Sequence, residues 1–193
     1  MNETKLVVEK PTKQVLEEYS KISIRYKVES VYKLQYIRSG LGGIMLVEEP
    51  VKPQFKDYDS NDDNPSLLIN QFDLTNWAVI SAFEGEKRVG GAILAYNTKG
   101  VNMLQDRDDL VVVWDIRVNN EYRGMGIGTK LFQECIEWAK ENDCTRLKVE
   151  TQNNNVVACK FYASQDAKLS NINKFVYADV PDEVQFIWSI DID

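Results

Sequence analysis

The 193-residue sequence contains no histidine. Histidine is the side chain that most often acts as a general base, and it is a frequent zinc ligand. Its absence excludes every serine–histidine or cysteine–histidine nucleophile and argues against a metal site. Acid–base chemistry in this chain must therefore rely on carboxylates, tyrosine hydroxyls or water.

Cysteine and long apolar runs are scarce as well. Cys135, Cys144 and Cys159 are odd in number and fall in or beside predicted helices and strands, which indicates reduced thiols. No stretch has the length and hydrophobicity of a signal peptide or a bilayer span. The sequence therefore predicts a cytoplasmic protein without a membrane partner.

Positive charge is in deficit, with 23 Lys and Arg against 30 Asp and Glu and a net charge of −7. Nucleic acid binding needs clustered basic side chains, so this balance disfavours a nucleic acid partner and suits a cationic substrate. The hydrophobic content of 44% is that of a globular protein. The length predicts a single domain over residues 1–193. A monomer and a homodimer both stay open.

The stretch 111–151 has the order strand, glycine loop, helix, strand. Val111–Val118 is a β-branched run of strand length, and the glycine-rich segment Arg123–Gly128 follows it. Apolar residues recur at helical spacing from Thr129 to about Asn142, and strand character returns at Arg146–Glu150. A helix that starts at a glycine loop exposes unpaired N–H groups at its positive dipole end, so the stretch predicts an anion-binding site.

Two well-known phosphate loops fit this stretch poorly. A P-loop is excluded because Thr129 stands where its second glycine belongs. A dinucleotide loop needs Gly-x-Gly-x-x-Gly directly after a strand and an acidic residue about 20 positions later. Glu150 meets the last requirement, but the spacing here is Gly-x-Gly-x-Gly, and residues 119–123 separate the strand from the first glycine. A nicotinamide-dependent oxidoreductase is therefore a disfavoured alternative.

Further elements follow from the pattern of apolar and turn residues. A helix is predicted from Pro11 to Tyr19, and the polar, acidic residues 52–65 predict a surface loop. Glycines at positions 90 and 91 inside a strand pattern predict a bulge or a close backbone approach. Strands are predicted at Lys5–Glu9, Ile44–Val47, Trp77–Phe83, Arg88–Tyr96, Phe175–Ala178 and Val184–Ile190.

The run I-R-V-N-N-E-Y-R-G-M-G-I-G-T-K-L resembles the signature of the GNAT acetyltransferase superfamily, in which a strand and a short turn precede Arg/Gln-x-x-Gly-x-Gly/Ala. A second block, Asn155–Tyr162, matches the superfamily pattern N-x-x-A-x-x-F-Y. The resemblance covers about residues 77–190. It implies an α/β (α+β) fold with a mixed, mainly antiparallel sheet of about seven strands flanked by helices. Residues 1–75 would be a variable N-terminal part, and residues 76–190 the acetyl-CoA-binding core.

The resemblance also implies residue roles. In that superfamily the loop amides bind the pyrophosphate of acetyl-CoA, the strand end binds the pantetheine arm through its main chain, and a tyrosine protonates the CoA sulfur. Tyr162 corresponds to that tyrosine, and Asn155 would both cap its helix and face the cofactor. The implied cofactor-binding residues are Ile116, Val118, Arg123, Gly124, Met125, Gly126, Ile127, Gly128, Thr129 and Asn155.

Acetyl transfer to an amine also requires a base, and without histidine this must be a carboxylate or a water relayed to one. Asp115 is the first candidate because it lies within an apolar strand beside the cofactor-binding positions, and Glu150, at the end of the next strand, is the second. Strand alternation places Asp115 on the face opposite Ile116 and Val118. Either carboxylate can instead have a structural role.

The stretch VETQNNNVVACKFYASQDAKL is similar to the streptothricin acetyltransferases of the superfamily, which acetylate an amine on the β-lysine part of that antibiotic. The sequence departs from the superfamily after Phe-Tyr, where Asp166–Leu169 replaces a common Gly-Phe pair. The acidic loop 52–65 would then gather the cationic acceptor, although a purely solvated connection is the alternative. The implied substrate-binding residues are Asp57, Tyr58, Asp59, Asp62 and Asp63.

These expectations together predict an acetyl-CoA-dependent N-acetyltransferase that acts on a primary amine of a small cationic substrate without a metal ion. The amine of streptothricin's β-lysine is the preferred acceptor. A polyamine acceptor, a protein amine acceptor and a non-catalytic acyl-CoA-binding module are the alternatives.

Overall fold

The computed structural model of the chain describes residues 4–59 and 64–193. Within these residues there are nine strands and four α-helices. The strands are β1 Lys5–Glu9, β2 Tyr26–Tyr36, β3 Ile44–Lys56, β4 Ala78–Glu84, β5 Lys87–Tyr96, β6 Leu110–Val118, β7 Arg146–Gln152, β8 Lys168–Asn173 and β9 Gln185–Asp191. The helices are α1 Lys13–Ser20, α2 Leu68–Gln71, α3 Ile127–Glu141 and α4 Val156–Ser164.

Seven of the described strands form one sheet in the order β1-β4-β5-β6-β7-β9-β8. The pairs β1–β4, β4–β5, β5–β6 and β8–β9 are antiparallel, whereas β6–β7 is parallel. The parallel pair follows from α3, because a crossover helix between two neighbouring strands gives them the same direction. The predicted mixed, mainly antiparallel sheet of about seven strands flanked by helices is therefore confirmed.

The described residues form two compact units, each assembled from separate segments. The first consists of the described parts of 1–24, 57–149 and 190–193, and the second of 25–56 and 150–189. The last segment of the first unit is held by a hydrogen bond from Ile192 N to Thr145 O at 2.9 Å and by an ion pair of Asp191 with Arg146 at 2.7 Å. These boundaries differ from the predicted division at residue 75, and the single domain stays a prediction.

The core of the first unit lies between α1, α2 and one face of the sheet. Tyr19 of α1 is fully buried there and packs directly onto β5. A Cβ on Gly91 would lie 2.7 Å from Tyr19 Cε2 and 2.8 Å from Ile80 O, closer than real Cβ contacts, so only glycine fits at this position. The close approach predicted for this strand is confirmed. The buried residues of this core are Leu16, Tyr19, Leu68, Leu74, Trp77, Val79, Ile93, Ala95, Val101, Leu104, Leu110 and Val112.

In the second unit, β2 and β3 form a separate two-stranded antiparallel sheet. Because β3 continues to Lys56, the prediction that Lys52–Lys56 begins a loop is wrong. Pro53 lies where the ladder with β2 shifts register, and Pro50, opposite Ser30, borders this irregular stretch, so proline is tolerated at both positions. The predicted loop therefore starts at Asp57.

Other elements also differ from the sequence prediction. Helix α1 begins at Lys13 after the N-cap Thr12, two residues later than predicted, so Pro11 precedes the helix instead of opening it. The strand predicted at Phe175–Ala178 is wrong, because the Asn173 side chain accepts a hydrogen bond from Phe175 N at 3.0 Å and turns the chain there. The strand of this region is β8, which ends at Asn173. Helix α3 begins at Ile127, two residues earlier than predicted, directly after the left-handed Gly126.

None of the helices in the described part of the chain combines the length and the apolar character needed to cross a membrane.

Candidate active site

The glycine loop between β6 and α3 has two residues in the left-handed backbone region. Gly124 has φ 78° and Gly126 has φ 79°, a conformation that other residues adopt only at a cost. A Cβ built on either glycine would meet no atom within 4 Å. The two glycines are therefore required by the backbone conformation, and the space beside them is open.

The start of α3 presents a set of unpartnered backbone donors. Gly126 is the N-cap and has no side chain that could accept from the first turn. Its carbonyl accepts from Lys130 N at 3.1 Å, whereas residues 126–129 have no protein acceptor for their amides within the described chain. Ile127 is buried and anchors the turn, while Gly124 and Met125 are exposed. Exposed N–H groups at a positive helix end form an anion-binding site.

Arg123 joins this loop to the end of β6. Its Nε donates to Val118 O at 3.2 Å. Burial lowers the pKa of the guanidinium, but an arginine starts so far above neutral pH that it remains charged. The loop therefore carries a permanent positive charge next to the free amides.

Strand β6 changes partners halfway along its length. Its ladder with β7 runs from Leu110, opposite Arg146, to Val113, opposite Val149. Beyond Val113 the strand continues to pair with β5, where Ile116 lies opposite Ala92 and Val118 opposite Gly90. The main chain of Ile116 and Val118 thus lies past the end of the β6–β7 ladder, in the stretch to which the superfamily resemblance assigns the pantetheine arm.

A β-bulge at Trp114 separates these two halves of β6. The register with β5 shifts between Leu94 opposite Val113 and Ile93 opposite Asp115, so Trp114 is the extra residue. Asp115 faces the core because its partner Ile93 belongs to it, and Trp114 contacts the core residue Trp77. Two consecutive side chains therefore project on the α1 face, which strand alternation alone does not predict.

Asp115 is the counter-ion of a buried arginine. Its Oδ1 accepts from Arg117 Nε at 2.8 Å, and its Oδ2 accepts from Arg117 Nη2 at 2.5 Å. Tyr19 Oη also donates to Asp115 Oδ1, at 2.5 Å. The side chains of Asp115 and Arg117 are 10% and 1% exposed. Arg117 Nη1 in turn donates to Ile22 O at 2.8 Å, so the guanidinium is well satisfied.

The protons of this cluster are firmly held. Burial lowers the pKa of Arg117, but hydrogen bonds and charge attraction from Asp115 outweigh this and raise it overall. Burial, followed by the negative charge of Asp115, raises the pKa of Tyr19 well above its usual value. The Asp115 carboxylate is at the same time bound on both oxygens by the guanidinium that it neutralises. The structural role that the sequence left open for Asp115 fits these contacts better than the role of base.

Asp59 also belongs to this cluster. It accepts from Ser23 Oγ at 2.5 Å, from Ile24 N at 3.1 Å and from Arg117 Nη1 at 3.3 Å. Asp57 is exposed, and its side chain accepts from Asp59 N at 2.9 Å. Among the acidic residues predicted to bind the substrate, Asp59 thus already forms hydrogen bonds with other groups of the protein.

The other predicted substrate-binding residues are Tyr58, Asp62 and Asp63. Tyr58 is half-buried. Asp62 and Asp63 lie outside the described residues.

In the second unit, the Glu150 carboxylate accepts hydrogen bonds from uncharged side chains, unlike Asp115, which faces a guanidinium. Its Oε1 accepts from Tyr177 Oη, and its Oε2 accepts from Gln185 Nε2 at 2.6 Å. Gln152 Nε2 lies 3.4 Å from Oε1. All three donors are neutral, so this carboxylate is oriented without being neutralised by a cation.

Tyr162 lies in α4, where it is 3% exposed and its ring packs edge-on against Phe161 at 5.1 Å. The helix is capped by Asn155, whose side chain accepts from Ala158 N at 3.2 Å. The predicted capping role of Asn155 is confirmed, and its contact with a cofactor stays a prediction.

The remaining ionisable candidates do not form a reactive centre. Cys135, Cys144 and Cys159 are buried free thiols, and burial raises the pKa of Cys144 and Cys159 to about 11. Thiols with such pKa values are poor nucleophiles at neutral pH. Within residues 4–59 and 64–193, no cluster of three or more potential ligand side chains could hold a metal ion.

Sequence reasoning missed the partners of both carboxylates. Tyr19 is 96 residues from Asp115, and Tyr177 is 27 residues from Glu150. One signal was available, because Asp115 and Arg117 stand two positions apart in an apolar strand and therefore share a face.

Comparison with known proteins places this geometry in context. Residues 44–166 match the model of the acetyltransferase (GNAT) family. The chain is 30% identical over 139 residues to streptothricin acetyltransferase A of Bacillus subtilis, covering 71% of this chain and 73% of that protein. It is 29% identical over 139 residues to streptothricin acetyltransferase of Escherichia coli, covering 72% and 70%. A Bacillus anthracis protein assigned as a streptothricin acetyltransferase, solved in complex with acetyl coenzyme A, has a TM-score of 0.74 at 25% identity, covering 98% of each chain.

We expect Asp115→Asn to lower the free energy of unfolding by about 3 kcal/mol, because it leaves the buried Arg117 without its full counter-charge. Denaturant unfolding followed by circular dichroism measures the change. Asp57→Asn is the matched control, since Asp57 is exposed and the amide keeps its acceptor oxygen, and it should change stability by no more than about 0.5 kcal/mol. Equal effects of the two substitutions would contradict the counter-ion role.

Proposed function

The chain belongs to the GNAT family of acetyltransferases and is an N-acetyltransferase, and we propose that it uses acetyl-CoA to acetylate a primary amine on the β-lysine part of streptothricin. The observation that carries the cofactor half of this proposal is the exposed, unpartnered amide cluster of residues 126–129 at the start of α3. The acceptor half rests on the related streptothricin acetyltransferases and on the net charge of −7.

The loop has the features that a diphosphate requires. Its amides offer several N–H donors on one side, Arg123 adds a fixed positive charge, and the left-handed glycines leave the backbone open to close approach. Acetyl-CoA would supply an acyl group activated as a thioester. Four residue-to-residue steps of extended chain, roughly 13 Å, lead from Val118 near the loop to Trp114 at the bulge. The main chain between them would hold the pantetheine arm and bring the acyl end towards the bulge.

Two residues of the second unit are proposed to handle protons. A lysine-like amine has a pKa of about 10.4 and must lose a proton before it can attack. We assign this step to Glu150, directly or through a water, because its hydrogen-bond donors are neutral, whereas Asp115 already neutralises Arg117. Tyr162 Oη is assigned the opposite task of protonating the departing sulfur, on the strength of the N-x-x-A-x-x-F-Y block that contains it.

Acetylation itself can be tested by following thiol release from acetyl-CoA with streptothricin, a polyamine and a peptide amine as acceptors. We expect streptothricin to be preferred, and we expect Tyr162→Phe to lower kcat roughly a hundredfold or more, because the general acid is lost. Tyr96→Phe removes a remote hydroxyl and should leave kcat unchanged. Absence of thiol release with every acceptor, together with normal acetyl-CoA binding, would favour the non-catalytic acyl-CoA-binding module instead.

The loop assignment can be tested with Gly126→Ala. The added methyl group projects into the open space beside the amides, so acetyl-CoA affinity measured by calorimetry should fall roughly ten- to hundredfold, as expected for one or more lost hydrogen bonds to a charged group. Gly85→Ala is the matched control, because Gly85 in the β4–β5 turn also has a positive φ of 62°. Both substitutions should cost about 1 kcal/mol of stability, but only the first should weaken binding. If Gly126→Ala bound acetyl-CoA as tightly as Gly85→Ala, the assignment of the glycine loop as the diphosphate site would be wrong.

The assignment of the base predicts a specific pH dependence. Glu150→Gln should lower kcat at neutral pH roughly a hundredfold, because the amide cannot accept the proton. At higher pH, where more of the acceptor amine is already neutral, the variant should recover relative to the wild type. A parallel pH–rate profile for the variant and the wild type would remove Glu150 as the base. Tyr177→Phe removes one hydrogen-bond donor to Glu150 and leaves the carboxylate in place. This variant therefore tests whether Tyr177 positions Glu150.

A further inference from the structure

We propose that Trp114 and Phe72 form an aromatic platform that binds an ammonium group of the acceptor other than the one that reacts. The role of the platform in acetylation rests on the proposed function, whereas the binding of a cation to the platform does not. The platform would make the enzyme selective for acceptors that carry a second positive charge.

The platform owes its position to the bulge in β6. The four residues that precede Trp114 in this strand are buried, whereas Trp114 itself is 37% exposed. Because the bulge places Trp114 on the same face as Asp115, a large aromatic surface emerges beside the buried ion pair instead of on the opposite side of the sheet. Trp114 is thus the exposed member of an aromatic cluster with Phe72 and Trp77, where its ring is accessible to a ligand.

The rings are held in place by packing beneath them. Trp114 contacts Phe72 edge-on with centroids 5.1 Å apart, and both rings contact Trp77 at 5.5 Å. Trp77 is 1% exposed and belongs to the core of the first unit. Phe72 is half-buried and also packs against Gly100. The aromatic surface is therefore rigid before any ligand arrives, which reduces the entropy lost on binding.

The charge cluster that begins at Asp115, the residue after Trp114, is net negative. Two carboxylates, Asp115 and Asp59, surround a single guanidinium, that of Arg117. The Arg117 side chain is 1% exposed, whereas that of Asp59 is 30% exposed, so the surface presents the excess negative charge and hides the positive one. A tryptophan face attracts cations more strongly than the other aromatic rings do, and nearby carboxylates reinforce the attraction. Neither an anionic ligand nor a neutral apolar ligand would gain from this charge distribution.

The position along β6 relates the platform to the reaction. Trp114 follows Val113, where the ladder with β7 ends, and precedes Ile116 and Val118, where the pantetheine arm is proposed to lie. An acceptor whose amine reaches the acyl end would thus bring its next functional group towards Trp114. β-Lysine has two amino groups, and only the reacting one must be neutral. The other remains an ammonium ion and is the group that the platform would bind.

The test uses 1,4-diaminobutane as the cationic probe. Its affinity, measured by calorimetry, should fall about three- to tenfold in Trp114→Leu, the range expected for a lost cation–π contact, while acetyl-CoA affinity stays the same. In the acetylation assay, the ratio of kcat/KM for 1,4-diaminobutane to that for butylamine should fall by a similar factor, because butylamine has no second ammonium group. Trp138→Leu is the matched control, since Trp138 packs on Tyr96 at the other end of α3 and should change neither quantity.

Each outcome decides between the alternatives. Unchanged diamine affinity in Trp114→Leu, or an equal fall of kcat/KM for both amines, overturns the platform. If no amine is acetylated but diamine affinity still depends on Trp114, the platform stands and the proposed function fails. Thermal unfolding checks the fold of each variant. If Trp114→Leu does not fold, Trp114→Phe replaces it, because phenylalanine keeps a smaller aromatic ring. We expect this variant to bind 1,4-diaminobutane more weakly than the wild type does. An affinity equal to that of the wild type would overturn the proposal.

Discussion

The buried ion pair between Asp115 and Arg117 is the interaction on which the first unit depends. A guanidinium removed from water is tolerated only if its charge and its hydrogen-bond donors are satisfied. Here the partners are Asp115, two residues away in β6, and two residues from distant segments, Ile22 after α1 and Asp59 after β3. Tyr19 adds a hydroxyl from α1 itself. The need to satisfy one arginine therefore ties the helix, the central strand and the acidic segment together.

The glycine loop follows directly after the end of β6 that carries this cluster. β6 is fixed on one face by this cluster, and its last residues lead through Arg123 into two left-handed glycines and α3. Packing of α3 on β5 requires a second close approach, because a Cβ on Gly90 would lie 3.1 Å from Arg117 O and 3.3 Å from Leu131. Ile127 also takes part in this packing, because a Cβ on Gly90 would lie 3.4 Å from its side chain. The helix end that presents the unpartnered amides is thus positioned by a buried residue of the same turn.

The strand–loop–helix–strand unit was predictable from the sequence because its signals are local: a β-branched run, glycines, and apolar residues at helical spacing. Residues 52–56 were wrongly predicted because a two-stranded sheet that is largely exposed has no buried face to produce an alternating pattern. The role of Asp115 could not be read from its neighbours, since its partner Tyr19 is 96 residues away. The exposure of Trp114 depends on the register between two strands, which no single strand encodes.

The arrangement of the two compact units bears on how the chain is made. Each unit is discontinuous, so the polypeptide passes from one to the other at residues 24, 56, 149 and 189. The stretch 190–193 returns to the first unit, where it contacts Thr145 and Arg146. During synthesis, the nascent first unit must wait for this returning stretch, by which time the ribosome has translated the whole of the second. Neither unit is therefore available in full before most of the chain has been translated, so both are expected to complete their folding late in synthesis.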